Sequence, residues 1–226
     1  MNRSRIPCRQ HIRRGGALAY DRGVETMSKA AARTHFRSLR RELDPERRRL
    51  EAEGILRNLL DWLGHDGGAR TLTSVLSYGA EPPTGELLAD LHRRGHRILV
   101  PICEPERRLS WADWYPGVPK ARATVAPIDE PVGERHPLAV MEGVDVVLVP
   151  AQAVDPDGGR LGQGGGYYDR FIASLRTLAR PPVLLAMVYE HELVPSGTFE
   201  VGPHDQPVDG VLTAAGITWI GDERAP

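Results

Sequence analysis

The sequence predicts an α/β fold, a three-layer α/β/α sandwich around a largely parallel, Rossmann-like sheet. Three observations carry that prediction. Val144 to Val149, interrupted only by Asp145, and Val183 to Val188 are apolar runs of strand length, as strands covered on both faces require. Segments with apolar residues at helical spacing stand between the strand-like runs. Strands separated by helices in one sheet imply right-handed crossovers, which put helices on its faces.

The elements follow in order. Phe36, Leu39 and Leu43 repeat at helical spacing in a first helix. Asp44-Pro45-Glu46 then supplies an N-cap, a first-turn proline and an acid near the positive helix end. That second helix runs toward Trp62 and Leu63, and Gly64 to Gly68 breaks it. Thr71 to Tyr78 reads as a strand. Thr84 can cap a helix bearing Leu87, Leu88 and Leu91, with Gly95 as its stop. A strand Arg97 to Val100 follows, and the proline-rich stretch Pro101 to Pro137 reads as irregular connection with a small hairpin near Trp111. Val208 to Thr213 adds a last strand.

A chain of 226 residues is ample for one hydrophobic core. A single domain over residues 27–226 is expected, preceded by an extension over residues 1–26. The extension carries Arg3, Arg5, Arg9, Arg13, Arg14 and Arg22 with little apolar material, so it is predicted to be disordered. It lacks the apolar core of a secretory signal. The formal net charge of −1 argues against a whole-molecule field for nucleic acid or membrane. Cys8 and Cys103 have no metal-ligand spacing and fit a reducing cytoplasmic location. No apolar run approaches the roughly 20 residues of a membrane span.

The informative stretch runs from Val149-Pro150 through Asp155-Pro156-Asp157-Gly158 and Arg160-Leu161-Gly162-Gln163-Gly164-Gly165-Gly166 to Tyr167-Tyr168-Asp169-Arg170. A strand ends at Pro150, a type I turn follows, then a glycine loop and a helix marked by Tyr168, Phe171, Ile172, Leu175 and Leu178. Glycines let backbone N–H groups approach phosphate oxygens, and a helix N-terminus adds unpaired donors. On its own the run serves equally well as a tight turn. It matches neither the dinucleotide fingerprint nor a P-loop, since position 167 is not glycine and no Lys-Ser/Thr closes it.

Those residues resemble the signature of the 5-formyltetrahydrofolate cyclo-ligase family, and separated motifs match in order. Lys29-Ala30-Ala31-Ala32-Arg33 looks like the family's early Lys-x-x-x-Arg, and Glu81-Pro82-Pro83-Thr84 like its Glu-x-x-Thr. Glu130-Pro131, Val144-Asp145 and the closing His204-Asp205 to Thr213 also fall into place. The resemblance implies ATP contacts at Lys29, Arg33, Arg160, Leu161, Gly162, Gln163, Gly164, Gly165, Gly166, Tyr167 and Tyr168. It implies folate contacts at Leu76, Glu81 and the shared segment Gln163, Gly164, Gly165, Gly166 and Tyr167. Asp169 and Asp205 match the family's Mg²⁺-linked carboxylates.

The reaction so implied is ATP- and Mg²⁺-dependent cyclisation of 5-formyltetrahydrofolate, with or without a polyglutamate tail, to 5,10-methenyltetrahydrofolate. ADP and phosphate are released, and no covalent nucleophile is expected. A monomer without nucleic-acid or membrane partners is expected. The alternatives are an enzyme of the same fold acting on another formyl or formimino folate or heterocycle, and a non-catalytic folate- or RNA-binding member. Three departures stand out from the family pattern: Ala151-Gln152-Ala153-Val154 replaces a Gly-Leu/Phe-rich stretch, Ala126 an aromatic, and Gln163 an Arg or aromatic. Gln152 and Ala126 are expected to widen or rehydrate the pteridine site.

Overall fold

The computed structural model describes residues 26–64, 68–124 and 128–221. Among them, seven strands form one sheet in the order β11-β10-β9-β6-β1-β2-β3. These are β1 (Thr71–Thr73), β2 (Arg97–Glu104), β3 (Arg108–Trp114), β6 (Val146–Pro150), β9 (Val183–Met187), β10 (Gly210–Thr213) and β11 (Gly216–Trp219). The five inner strands pair in parallel, while β3 and β11 add antiparallel edges. Two short hairpins lie outside it, β4 (Lys120–Arg122) with β5 (Asp129–Pro131), and β7 (Ala153–Val154) with β8 (Arg160–Leu161). The predicted α/β class with a largely parallel sheet is the observed one.

Alternate residues of β6 serve opposite faces, as the pleat dictates. Val147 and Val149 pack with Phe171, Ile172 and Leu175 of helix α4 (Tyr167–Leu175). Val146 and Leu148 pack with Ile55, Leu59 and Leu63 of α2 (Pro45–Leu63) and Leu87, Leu88 and Leu91 of α3 (Gly85–Arg93). Each such buried side chain contributes roughly 1.5–3 kcal/mol. Helix α2 approaches closely enough that a Cβ on Gly54 would lie 2.8 Å from Ala214 Cβ, so glycine there reflects contact rather than helix preference. Helix α1 (Lys29–Glu42) belongs to neither layer: Ala32 and Phe36 pack on Ala153 and Leu161 of the β7–β8 hairpin.

The local signals placed α2 to the residue, with the Asp44 side chain accepting from Arg47 N. Other boundaries moved. The first strand stops at Thr73 instead of reaching Tyr78, and the chain beyond leaves the sheet. Thr84 precedes α3 without capping it through its side chain; its Oγ1 accepts from Ser77 N at 3.0 Å. The stretch from Pro101 is less irregular than expected: the hairpin near Trp111 is present but longer, because β2 continues to Glu104 and pairs with all of β3. Pro101 is tolerated because β1 has ended opposite Leu99, and its partner Trp111 directs N–H and C=O to His136, so no ladder bond needs a proline N–H. The last strand starts at Gly210, and β11 returns beside it unanticipated. The extension over residues 1–25 and Ala126 lie outside the described residues.

Candidate functional site

The chain adds β2 on one side of β1 and β6 on the other, which makes the gap past their carboxyl ends a topological switch point, where open α/β sheets bind ligands. A cleft of about 1050 Å³ opens there. Its walls are the residues after β1, the segment from Pro150 through β8 and the glycine loop, and the facing side of α1. Every site residue expected from the sequence lines it: Lys29, Arg33, Leu76, Glu81, Arg160, Leu161, Gly162, Gln163, Gly164, Gly165, Gly166, Tyr167, Tyr168, Asp169 and Asp205.

The loop geometry begins at the turn between β7 and β8. Asp155 Oδ1 accepts from Asp157 N at 3.0 Å and Gly159 N at 2.8 Å, and Gly158 N bonds to Asp155 O. A Cβ on Gly159 would lie 2.5 Å from Asp155 Oδ2, so the turn admits no side chain there. After β8 the chain turns through Gly164 (φ 103°) and Gly166 (φ 73°) into α4, conformations that L side chains resist. Gly166 occupies the N-cap and offers no capping side chain. From Gly162 to Asp169, no backbone N–H donates to a protein acceptor among the described residues. Unpaired donors at the positive end of a helix form an anion cradle.

Cations and carboxylates surround the cradle in pairs. Lys29 Nζ lies 2.5 Å from Asp205 Oδ2 and 2.6 Å from Oδ1. Arg160, almost wholly buried, places Nη2 2.6 Å from Asp169 Oδ1, while its Nε is buried without a partner. Asp169 Oδ1 also accepts from the N–H of Gln206, next in chain to Asp205, at 3.3 Å, which ties the segment that carries Asp205 to the head of α4. Burial raises the Asp205 carboxyl, but Lys29, the Gly202 N–H and Arg160 outweigh it and leave the group below the usual carboxylate range. Arg33 Nε donates to Gly162 O at 2.9 Å. Helical spacing puts Lys29 and Arg33 on one face, and the sheet brings that face to the loop.

The other end of the cleft is a polar relay. Gln152, fully buried, donates from Nε2 to Gln163 Oε1 at 2.5 Å, and Gln163 Nε2 donates to Glu81 Oε1 at 3.1 Å. Glu81 Oε2 accepts from Tyr78 N at 3.0 Å. Gln152 therefore lies beneath Gln163 and supports it, while also lining the cleft. Leu76 packs partly on the core below α2 and α3. Tyr168 sets its ring edge-on to Phe171, and burial pushes its phenol far up, so it stays protonated. A Cβ on Gly165 would lie 3.0 Å from the Tyr167 ring.

Sequence reasoning missed Arg37, whose Nη2 donates to Gln163 Oε1 at 3.1 Å. Its signal was present, four residues beyond Arg33 on the same face. It also missed Cys103 and Leu109, which reach the cleft from β2 and β3 and which only strand order puts there. Burial pushes the Cys103 thiol up to about 11, so it is a wall residue and not a nucleophile. Among the described residues no group of three His, Cys, Asp or Glu could hold a metal by itself. Asp169 and Asp205 nevertheless suit Mg²⁺, which commonly takes one or two carboxylates and fills its octahedron with phosphate and water.

Fold and site together define an α/β protein with an anion cradle at its switch point. The family model of the 5-formyltetrahydrofolate cyclo-ligase family matches residues 25–214. A 5-formyltetrahydrofolate cyclo-ligase of Mycolicibacterium smegmatis is 35% identical over 191 residues, covering 82% of this chain and 93% of that protein. One from Escherichia coli K12 is 28% identical over 151 residues, 66% of this chain and 80% of its own. The solved 5,10-methenyltetrahydrofolate synthetase of Aquifex aeolicus superposes with a TM-score of 0.65 at 27% identity, covering 87% of this chain and 94% of its own. This chain belongs to the 5-formyltetrahydrofolate cyclo-ligase family. No helix among the described residues is long and apolar enough to cross a membrane.

Proposed function

We propose that this protein uses ATP to close the ring of 5-formyltetrahydrofolate, giving 5,10-methenyltetrahydrofolate, ADP and phosphate. The observation that carries the reading is the run of unpaired N–H groups from Gly162 to Asp169, flanked by Lys29, Arg33 and Arg160. A polyphosphate supplies the acceptors that those donors lack. Membership of a cyclo-ligase family supports the chemistry at the other end of the cleft.

In this reading the glycine loop, Lys29, Arg33 and Arg160 hold the phosphates, with the Tyr167 and Tyr168 amides at the head of α4. Asp169 and Asp205 would hold Mg²⁺. When bound, the ion neutralises charge on the transferred phosphoryl group. Leu76 offers apolar contact to the pterin, and Glu81 accepts hydrogen bonds from its N–H groups. Gln163, fixed by Gln152 and Glu81, stands between the two substrates with Gly164, Gly165, Gly166 and Tyr167. The formyl oxygen attacks the γ-phosphate and ADP leaves. N10 of the folate then attacks the activated carbon and loses its proton to solvent, and phosphate departs with the former formyl oxygen. The chain supplies no nucleophile and acts by alignment and charge neutralisation, the main levers of phosphoryl transfer.

The free thiol of Cys103 supports a cytoplasmic location, and the near-zero net charge supports small-molecule substrates over nucleic acid. Purified protein with 5-formyltetrahydrofolate, ATP and Mg²⁺ is expected to produce the absorbance of the conjugated methenyl product, and Asp169→Ala to abolish it. No rise, with ATP still tightly bound, overturns the folate assignment and points to another formyl compound or heterocycle.

A further inference from the structure

The hairpin joining β2 to β3 contributes nothing to the motifs, yet its tip overhangs the glycine loop. The turn is left-handed at Glu106 (φ 60°) and Arg107 (φ 59°), the non-glycine residues with positive φ among the described residues. Such conformations persist where their surroundings hold them, and they concentrate at functional sites. Here Arg170 of α4 reaches back and donates from Nη1 to Glu106 O at 3.3 Å. The result lays Arg107 against the loop: a Cβ on Gly166 would lie 3.6 Å from Arg107 Nη1 and 3.8 Å from its Cδ.

The electrostatics of that placement are unfavourable as they stand. Gly166 caps α4, and the N–H groups around it carry the positive end of the helix. A cation belongs at the opposite end of a helix. The other cations at the loop are committed, Lys29 to Asp205, Arg160 to Asp169, Arg33 to Gly162 O and Arg37 to Gln163. Arg107 is exposed beside Gly166, and its side chain has no ion pair or hydrogen bond among the described residues. Two sets of uncommitted positive charge face one another, which an anion between them would reconcile.

We infer that Arg107 closes over the glycine loop and binds the β- and γ-phosphate end of the nucleotide, as the fourth wall of a cradle whose floor is Gly162 to Asp169. The inference rests on the ATP reading above and adds a residue from a segment that no motif includes. A guanidinium presents paired N–H donors to a phosphate, which an ammonium does not. Arg107→Lys is therefore a partial replacement and Arg107→Gln a loss.

The test is calorimetric binding of a β,γ-imido ATP analogue and of AMP, each with Mg²⁺, to wild type, Arg107→Gln and Arg107→Lys, alongside steady-state kinetics. Loss of one charge-assisted contact is expected to weaken the analogue about tenfold in Arg107→Gln. Arg107→Lys recovers part of it. AMP affinity and the KM for the folate stay at wild-type values, while the KM for ATP rises. Unchanged analogue affinity overturns the inference, and so does equal weakening of AMP, since Arg107 would then act only on the loop's shape. Failure of the wild type to bind the analogue is a separate result that removes the ATP reading and this inference with it. Thermal melting of the variants checks folding, which an exposed side chain should leave unchanged.

Discussion

Two sets of ion pairs in this molecule use the same chemistry for different ends. Arg40 and Glu192 are sealed, with side chains 4% and 0% exposed. Arg40 donates to both Glu192 oxygens, at 2.5 and 3.0 Å, and to Ala151 O at 2.5 Å, while Glu192 also accepts from Tyr189 N. The pairs at the cleft are half open: Lys29 and Asp205 are 30% and 14% exposed, and Asp169 is 28% exposed beside a buried Arg160. Burial pushes the Glu192 carboxyl up, with Arg40 pulling it back, whereas Asp205 ends below its ordinary range. The sealed pair ties α1 to the segment after β9, and so fixes the helix that carries Lys29 and Arg33. The open pairs keep charge beside the cradle where a ligand can exchange with it.

The contrast breaks most readily in the core. Glu192→Ala leaves Arg40 buried and unpaired, a loss of about 3–5 kcal/mol, read by urea denaturation. Asp205→Asn should cost less than about 1 kcal/mol, because its pair is reached by solvent. Equal losses would dissolve the distinction. In turnover the order reverses: Asp205→Asn is expected to lower kcat on the order of 100-fold by removing charge from the phosphoryl site, measured at saturating folate and Mg-ATP. A change below about threefold would take Asp205 out of the reaction.

The smallest effect is the one set by pH. Asp205 has a folded pKa below its unfolded value of about 3.9. Its stabilising contribution is therefore full above that unfolded value and is lost as pH falls through the folded one. The stability difference between wild type and Asp205→Asn should hold constant from neutral pH to about 5 and shrink below about 4. A difference that grew on acidification would mean that Lys29 does not hold the carboxylate charged.

How far the sequence could be read depended on the range of the forces involved. Helix α2 was legible to the residue because Asp44, Pro45 and Gly64 act on their immediate neighbours. The first strand was read too long because Val75, Leu76 and Tyr78 carry strand composition, yet sheet pairing ends at Thr73↔Leu99 and the segment beyond turns to face the cleft. β2 was read too short because Pro101 signals an end, and only the absence of a neighbour on that side makes it harmless. Gln152 was expected to rehydrate the pocket, and its burial beneath Gln163 depends on a contact across eleven positions in the chain.

The sequence by itself determined the α/β class, the glycine loop that leads into α4, and the residue types for anion and carboxylate chemistry, because each depends on local periodicity, glycine freedom or a contiguous motif. Tertiary structure alone decided which cation meets which carboxylate. Lys29 and Asp205 are 176 positions apart, and nothing in either neighbourhood encodes the pairing. It also carried Arg107 over Gly166, through the register of β2 with β3 and the grip of Arg170 on the hairpin tip. Strand order is set by packing over the whole core, so the contacts it creates are absent from any single stretch of chain.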